Sequence, residues 1–79
     1  MDEIETELRK IIREELSIDS SVIGSDELLS DTGVDSDDIS FLFIPEVEKR
    51  FSVRFSIKQW RKVGTINEIA SMIRFTLKK

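Results

Sequence analysis

Residues 33–51 read GVDSDDISFLFIPEVEKRF and predict the central helix of the fold. Asp35 is a residue type that caps helix N-termini, and Val34 and Ile39 have the spacing of a hydrophobic staple around that cap. The pattern therefore predicts a helix over 36–51. Its predicted buried stripe consists of Ile39, Leu42, Phe43, Val47 and Phe51.

Pro45 lies in the middle of this predicted helix. Proline cannot donate a hydrogen bond to the carbonyl of Phe41, and its ring crowds that turn. Ile44, which precedes the proline, is biased away from helical angles. We therefore expect the helix to bend or break between Phe41 and Glu46, where a wide turn can absorb an additional residue. Phe41 and Ile44 fall off the buried stripe, and we expect both to be partly exposed.

The N-terminal part of the chain predicts a helix followed by a long linker. Apolar residues recur at helical spacing over about 2–16, and Asp2 can cap this first helix. Residues 17–35 form a linker rich in Ser, Asp and Gly, whose apolar members are expected to pin it to the core. A linker of this length in a small domain is unusual and is usually functional when it is ordered. Those apolar members are Ile18, Val22, Ile23, Leu28 and Leu29.

Two capping boxes predict the remaining helices. Ser56 begins a Ser-x-x-Gln box that opens a short third helix, which Gly64 is expected to end. Phe55 and Trp60 are spaced as a hydrophobic staple around this start. Thr65 begins a Thr-x-x-Glu box that opens a fourth helix, which extends to about Leu77. The predicted inner face of the fourth helix consists of Ile66, Ile69, Ala70 and Ile73.

The composition argues against several classes of function. The chain has 79 residues, which predicts one domain over 1–79. It has no cysteine and no histidine, so we expect no disulfide framework, no zinc site and no histidine-based catalytic relay, and the residue inventory does not favour an enzyme. Asp35, Asp37 and Asp38 could bind a divalent cation weakly, but they lack the spacing of a calcium loop, and we expect a solvated helix start and no metal site. No apolar run approaches the roughly 18–20 residues of a membrane span, and no signal peptide is apparent. We therefore expect a cytoplasmic protein that does not insert into membranes.

Charge is segregated along the chain, whose net charge is −4. Residues 1–48 hold 15 acids and three bases, a net charge of −12, whereas residues 49–79 hold one acid and nine bases, a net charge of +8. We expect two oppositely charged faces on one folded unit. The alternative is that the bases only neutralise the chain's own acids. Nucleic-acid binding is not expected, because the domain is acidic overall and no recognition motif accompanies its bases.

Ser36 occupies a position suited to a phosphate-linked group. A serine at the first position of a helix is exposed at the positive end of the helix dipole, where backbone N–H groups favour an anion. The alternative is an ordinary helix-start serine, since Ser and Asp are favoured at such positions in any helix.

The order of predicted elements resembles that of the acyl carrier protein family over nearly the whole chain. That family has a long first helix, a long loop, a second helix opened by Asp-Ser-Leu, a short third helix and a fourth helix. Asp35 and Ser36 match the first two motif residues, Gly33 the preceding glycine, and Phe51 the aromatic that closes the second helix. Residues 63–66, Val-Gly-Thr-Ile, resemble the start of the fourth helix. The resemblance implies an all-α four-helix bundle with three main helices, one short third helix and a long loop between the first and second.

The resemblance also implies a function. In that family the motif serine carries a 4′-phosphopantetheine arm through a phosphodiester, and the terminal thiol of the arm holds acyl groups as thioesters. By resemblance, Ser36 is the attachment site. A phosphopantetheinyl transferase would have to activate the serine, because no general base lies within the motif. The other implied partners are acyl-loading, acyl-transfer and condensing enzymes of a fatty-acid, lipid or polyketide pathway, and we expect a monomer.

Three departures from the family pattern predict a specialised member. Asp37 replaces the motif leucine, the segment 36–51 is one residue longer, and the second half of the chain is basic where the family is acidic. The alternative function is a non-catalytic helical protein-interaction module with a carrier-like fold and no arm. In either case the predicted partner-binding residues are Asp35, Asp37, Asp38, Phe41, Ile44, Lys58 and Arg61.

Overall fold

The structure, a computed structural model, describes residues 3–78 and is built from helices. Within that range it contains no β-strand, and one isolated bridge joins Leu28 to Thr65. The predicted small all-α fold is confirmed, whereas the Asp2 cap lies outside the described residues. The helices are α1 (Glu3–Leu16), α2 (Ser36–Asp38), a π-helical segment (Ile39–Phe43), α3 (Ile44–Phe51), α4 (Ile57–Arg61) and α5 (Ile66–Leu77).

The core lies where α1 packs against α5, the π-helical segment and α3. Each helix contributes a stripe of aliphatic or aromatic side chains to it, as expected for helices that bury one face. The predicted inner face of α5 is confirmed, since all four of its residues are buried. The largest fully buried side chains are Phe43, Leu8, Ile11, Ile12, Ile66, Ile73 and Val47.

The second helical unit, which consists of α2, the π-helical segment and α3 (residues 36–51), contains the wide turn that Pro45 predicts. The helix does not break between Phe41 and Glu46, since Phe43 and Ile44 both keep right-handed helical angles. The N–H of Ile44 donates to the carbonyl of Ile39, five residues earlier, in the turn that directly precedes Pro45. Val47 is buried beyond the turn. The predicted burial of Leu42 is wrong, because this side chain is 42% exposed. A π turn contains more residues than an α turn, so the stripe shifts within it.

The linker is tied to α1 by Arg9. The Arg9 Nη1 donates to the carbonyls of Ser20 at 2.5 Å and Ile23 at 2.7 Å, and its Nη2 donates to the Ser25 hydroxyl at 3.0 Å. Ile23 and Leu29 are buried as predicted. The expectation that all apolar linker residues pin it to the core is wrong for two of them, since Val22 and Leu28 are exposed.

The linker also contacts the start of α5. The Leu29 N–H donates to the Gly64 carbonyl at 2.9 Å, and the Asn67 N–H donates to the Ser25 carbonyl at 3.0 Å. The prediction that Gly64 ends the third helix is wrong, because α4 already ends at Arg61. Gly64 instead allows the linker to approach, since a Cβ there would lie 2.8 Å from Cδ2 of Leu28.

Candidate functional site

Ser36 begins α2 and is exposed. Gly33 turns the chain just before it through a left-handed conformation, with φ of 85°, that few other residues adopt. Asp35 then caps the helix in extended conformation, and its Oδ1 accepts from the Asp37 N–H at 3.0 Å. These local signals place the Ser36 side chain at the surface, at the N-terminus of the second helical unit.

An open groove begins at Ser36. We call it the outer groove, and its volume is about 620 Å³, within the roughly 300–1,000 Å³ typical of small-molecule sites. One wall comes from the second helical unit, and the other comes from the connector before α4 and from α4 itself. The lining residues are Ser36, Ile39, Ser40, Ile44, Glu48, Phe55, Ile57, Trp60 and Arg61.

Glu48 holds the two walls of the outer groove together. Its Oε2 accepts from the backbone N–H of Phe55 at 3.0 Å and from the indole Nε1 of Trp60 at 3.5 Å. The rings of Phe55 and Trp60 meet edge to face with centroids 5.6 Å apart, as the predicted staple requires. The bond from the Phe55 N–H to Glu48 thus fixes the connector to α3, and the aromatic pair joins α4 to the connector.

A second cavity lies behind the outer groove. We call it the inner pocket, and its volume is about 230 Å³. Ile39, Ile44 and Trp60 line both cavities. The other residues that line the inner pocket are Leu29, Ser30, Phe43, Val63, Gly64 and Ile69.

The predicted partner-binding residues lie on different parts of the surface. Asp35, Asp37 and Asp38 are exposed around Ser36, and Lys58 and Arg61 are exposed on α4. Phe41 is 75% exposed, in agreement with its predicted position off the stripe. Ile44 is partly buried and packs against the core, so it offers less surface to a partner than Phe41 does.

The basic half of the chain divides into paired and unpaired cations. Arg50 lies within 3.0 Å of carboxylate oxygens of Glu7, Glu14 and Glu46, and so neutralises acids of the chain itself. Among residues 3–78, the α4 bases Lys58 and Arg61 form no ion pair. Neutralisation of the chain's own acids therefore describes Arg50, whereas a basic surface without acidic partners in the described part of the chain describes Lys58 and Arg61.

The sequence interpretation missed the two cavities and the role of Glu48. The available signal was Glu48, which lies one turn beyond Ile44 on the same helix face, together with the indole N–H of Trp60 in the predicted staple.

Residues 3–78 hold no group of three or more Cys, Asp or Glu side chains that could bind a metal ion. No helix in that range is long and apolar enough to cross a membrane. No protein-family model and no curated protein matches the chain.

Proposed function

We propose that this chain is a carrier protein that holds acyl groups as thioesters on a 4′-phosphopantetheine arm attached to Ser36. The observation that carries the proposal is the juxtaposition of an exposed serine hydroxyl with the outer groove. A serine that merely begins a helix does not require a cavity of this size beside it.

The residues present fit such an arm. The Ser36 hydroxyl is exposed, and the first-turn N–H groups of a helix favour a phosphodiester oxygen nearby. The outer groove offers apolar walls to whatever the arm carries. When bound, the arm supplies the thiol that this cysteine-free chain lacks.

The chain's own residues hold and present the arm rather than activate the reaction. Asp35 caps the helix and keeps Ser36 at its first position. The chain contains no histidine to act as a base, so a separate phosphopantetheinyl transferase would take the proton of Ser36. The serine oxygen would bond to the pantetheine-bearing phosphorus of coenzyme A, and the bond from that phosphorus to the nucleotide would break and release adenosine 3′,5′-bisphosphate. Acyl-loading, acyl-transfer and condensing enzymes of a specialised pathway are the further partners in this proposal, which places a monomeric carrier in the cytoplasm.

Mass spectrometry tests the proposal directly. The protein isolated from its native host should carry a phosphopantetheine adduct, with or without an acyl group. In vitro, Ser36→Ala should abolish labelling by a coenzyme A analogue and a permissive transferase, with far-UV helicity intact. Ser40→Ala is the matched control, because Ser40 is exposed and lines the same groove. Labelling that survives in the Ser36 variant would overturn the assignment.

One observation favours the interaction module as a second candidate. Phe41 and Leu42 are 75% and 42% exposed and adjacent, and exposed apolar groups of this size are typical of docking surfaces. An interaction module would show no adduct in its native host, and Phe41→Ala would still weaken binding to its partner. A carrier would show the adduct, so the native mass separates the two candidates.

A further inference from the structure

Trp60 stands between the outer groove and the inner pocket. Three side chains, Ile39, Ile44 and Trp60, line both cavities and so form the wall that separates them. All three are partly buried and pack against the core. The separation of the two cavities thus depends on where these three side chains lie.

Of the three wall residues, Trp60 is the one that is held least firmly. Ile39 and Ile44 belong to the continuous second helical unit, where backbone hydrogen bonds fix them. Trp60 lies on the five-residue helix α4. Its indole Nε1 lies 3.5 Å from Oε2 of Glu48, which is long for such a bond and therefore weak. A small rotation of the indole would move the wall without breaking a helix.

The two cavities differ in size and in chemistry. The outer groove has about 620 Å³ and includes the charged groups of Glu48 and Arg61. The inner pocket has about 230 Å³, below the roughly 300 Å³ at which small-molecule sites begin, and is lined mainly by apolar residues such as Phe43 and Ile69. The inner pocket is therefore small for a ligand of its own, and an apolar chain that starts at Ser36 and follows the outer groove reaches it past the three side chains that line both cavities.

We propose that Trp60 is a specificity-determining residue that sets the length of the acyl chain this protein can bury. A short acyl chain extends from the Ser36 side into the outer groove and ends against the indole. A longer chain reaches the inner pocket only when the indole is displaced or removed. The inference rests on the proposed carrier function for the identity of the cargo, and it assigns short acyl groups as the preferred class.

A site-specific alkyl series tests this inference without any transferase. Ser36→Cys introduces the only thiol of the chain. Its thiolate attacks the sulfenyl sulfur of an n-alkyl methanethiosulfonate, which forms a mixed disulfide and releases methanesulfinate. The melting temperature is then measured for attached alkyl chains of increasing length. We expect the melting temperature to rise with each added methylene. It should then reach a plateau at the alkyl length whose end contacts the indole of Trp60.

The variants identify the residue that sets the plateau. In Ser36→Cys combined with Trp60→Ala, the plateau should move to longer chains, because the two cavities become one. Trp60→Leu is the second variant, should the alanine protein fail to fold. Val22→Ala is the matched control, since Val22 is a 74% exposed apolar residue that lines neither cavity, and it should leave the plateau length unchanged. An unchanged plateau in both Trp60 variants, or no rise at any length, would overturn the inference.

Fluorescence gives an independent readout in protein that keeps Trp60. This is the only tryptophan, and the chain has no tyrosine, so the emission reports on one indole. Quenching of that emission by acrylamide should fall once the attached chain reaches the plateau length and covers the ring. Equal quenching at all lengths would contradict contact between chain and indole. If Ser36 does not accept a phosphopantetheine arm, the proposed function is wrong. The alkyl measurements would still show whether Trp60 limits the length of a chain attached at position 36, because they do not use the arm.

Discussion

Arg50 on α3 donates through Nη2 to the carboxylate of Glu14 on α1, at 2.6 Å. Its Nη1 donates to Glu7 at 2.9 Å and its Nε to Glu46 at 3.0 Å, so one guanidinium joins three carboxylates on two helices. The hydrogen bond from Arg50 lowers the pKa of Glu14 below its ordinary value, against a smaller opposing effect of burial. This cluster couples the strongly acidic first helix to the basic end of the second helical unit.

Arg50→Gln should lower the melting temperature at neutral pH, and the loss should shrink in acid. Because the folded-state pKa of Glu14 is lowered, its pairing stabilises the fold above the ordinary glutamate pKa of about 4.3. That stabilisation disappears as the pH falls through the lowered value. Thermal melts at pH 7 and near pH 3 check this, with Lys49→Gln as the neighbouring control. A difference of the same size at both pH values would show that the charges are not its source.

Arg9→Met should loosen the linker. The substitution leaves the carbonyl of Ile23 without its Arg9 donor, whereas the carbonyl of Ser20 still accepts from the Ile23 N–H at 3.2 Å. An unsatisfied buried polar group costs about 1–3 kcal/mol. We expect a loss of that order in the free energy of unfolding, with faster amide exchange over residues 20–29. Arg13→Met is the control, because Arg13 is exposed. Loss of stability without faster exchange in the linker would argue against this anchoring role.

Phe41 and Phe43 should respond in opposite ways to truncation. Phe43 is 1% exposed, so Phe43→Ala should cost about 3–5 kcal/mol of stability. Phe41 is 75% exposed, so Phe41→Ala should change the free energy of unfolding little while it weakens turnover by partner enzymes. Urea denaturation and a partner assay measure the two effects. A multi-kcal/mol loss in the Phe41 variant would place that ring in the core.

Pro45→Ala should change stability far less than a proline inside a regular helix would lead one to expect. A proline in a helix interior costs about 3 kcal/mol, but here a π turn directly precedes Pro45 and widens the backbone where the proline ring would crowd a regular turn. We expect a change within about 1 kcal/mol by urea denaturation. Amide protons over 41–46 should also exchange faster than those over 47–51. A large gain in stability on substitution, or uniform protection across the turn, would count against the wide turn.

The unpaired bases of α4 should help to select partner enzymes. Lys58 and Arg61 would repel the basic patches of general fatty-acid enzymes, and like charges across an interface can cost several kcal/mol. The double variant Lys58→Glu and Arg61→Glu should be a better substrate for such enzymes, with an advantage that shrinks as salt is added. Lys10→Glu combined with Lys78→Glu is the control, since it gives the same change in net charge away from α4, on α1 and just after α5. Equal turnover of wild type and the α4 variant at low salt would leave the basic helix without this role.

The parts of the fold that short-range signals determine could be predicted from the sequence. Both capping boxes are present with their reciprocal hydrogen bonds, at Ser56 with Gln59 and at Thr65 with Glu68. Each box lies within four residues of chain, so its geometry follows from local chemistry alone. The exposed position of Ser36 behind its Asp35 cap follows in the same way.

Features that depend on distant residues could not be predicted. The predicted buried stripe assumes the α-helical period throughout residues 36–51. Because a π turn covers Ile39–Phe43, that period wrongly assigns Leu42 to the core. The outer groove is lined by Glu48 together with Phe55 and Trp60, which lie 7 and 12 residues further along the chain and donate to its carboxylate. Nothing in the spacing of these residues specifies that their side chains meet.

The π turn also has a consequence for how this chain should be compared with others. A turn that accommodates one additional residue leaves the helix before it and the helix after it in the same registers that they would have in a shorter chain. If the proposed carrier function is correct, an alignment with a carrier that is one residue shorter over 36–51 should place its gap within Ile39–Phe43. With the gap there, Ser36 keeps its match on one side and Val47 and Phe51 keep theirs on the other. A gap placed in the linker would shift every residue of α2 by one position and conceal the correspondence.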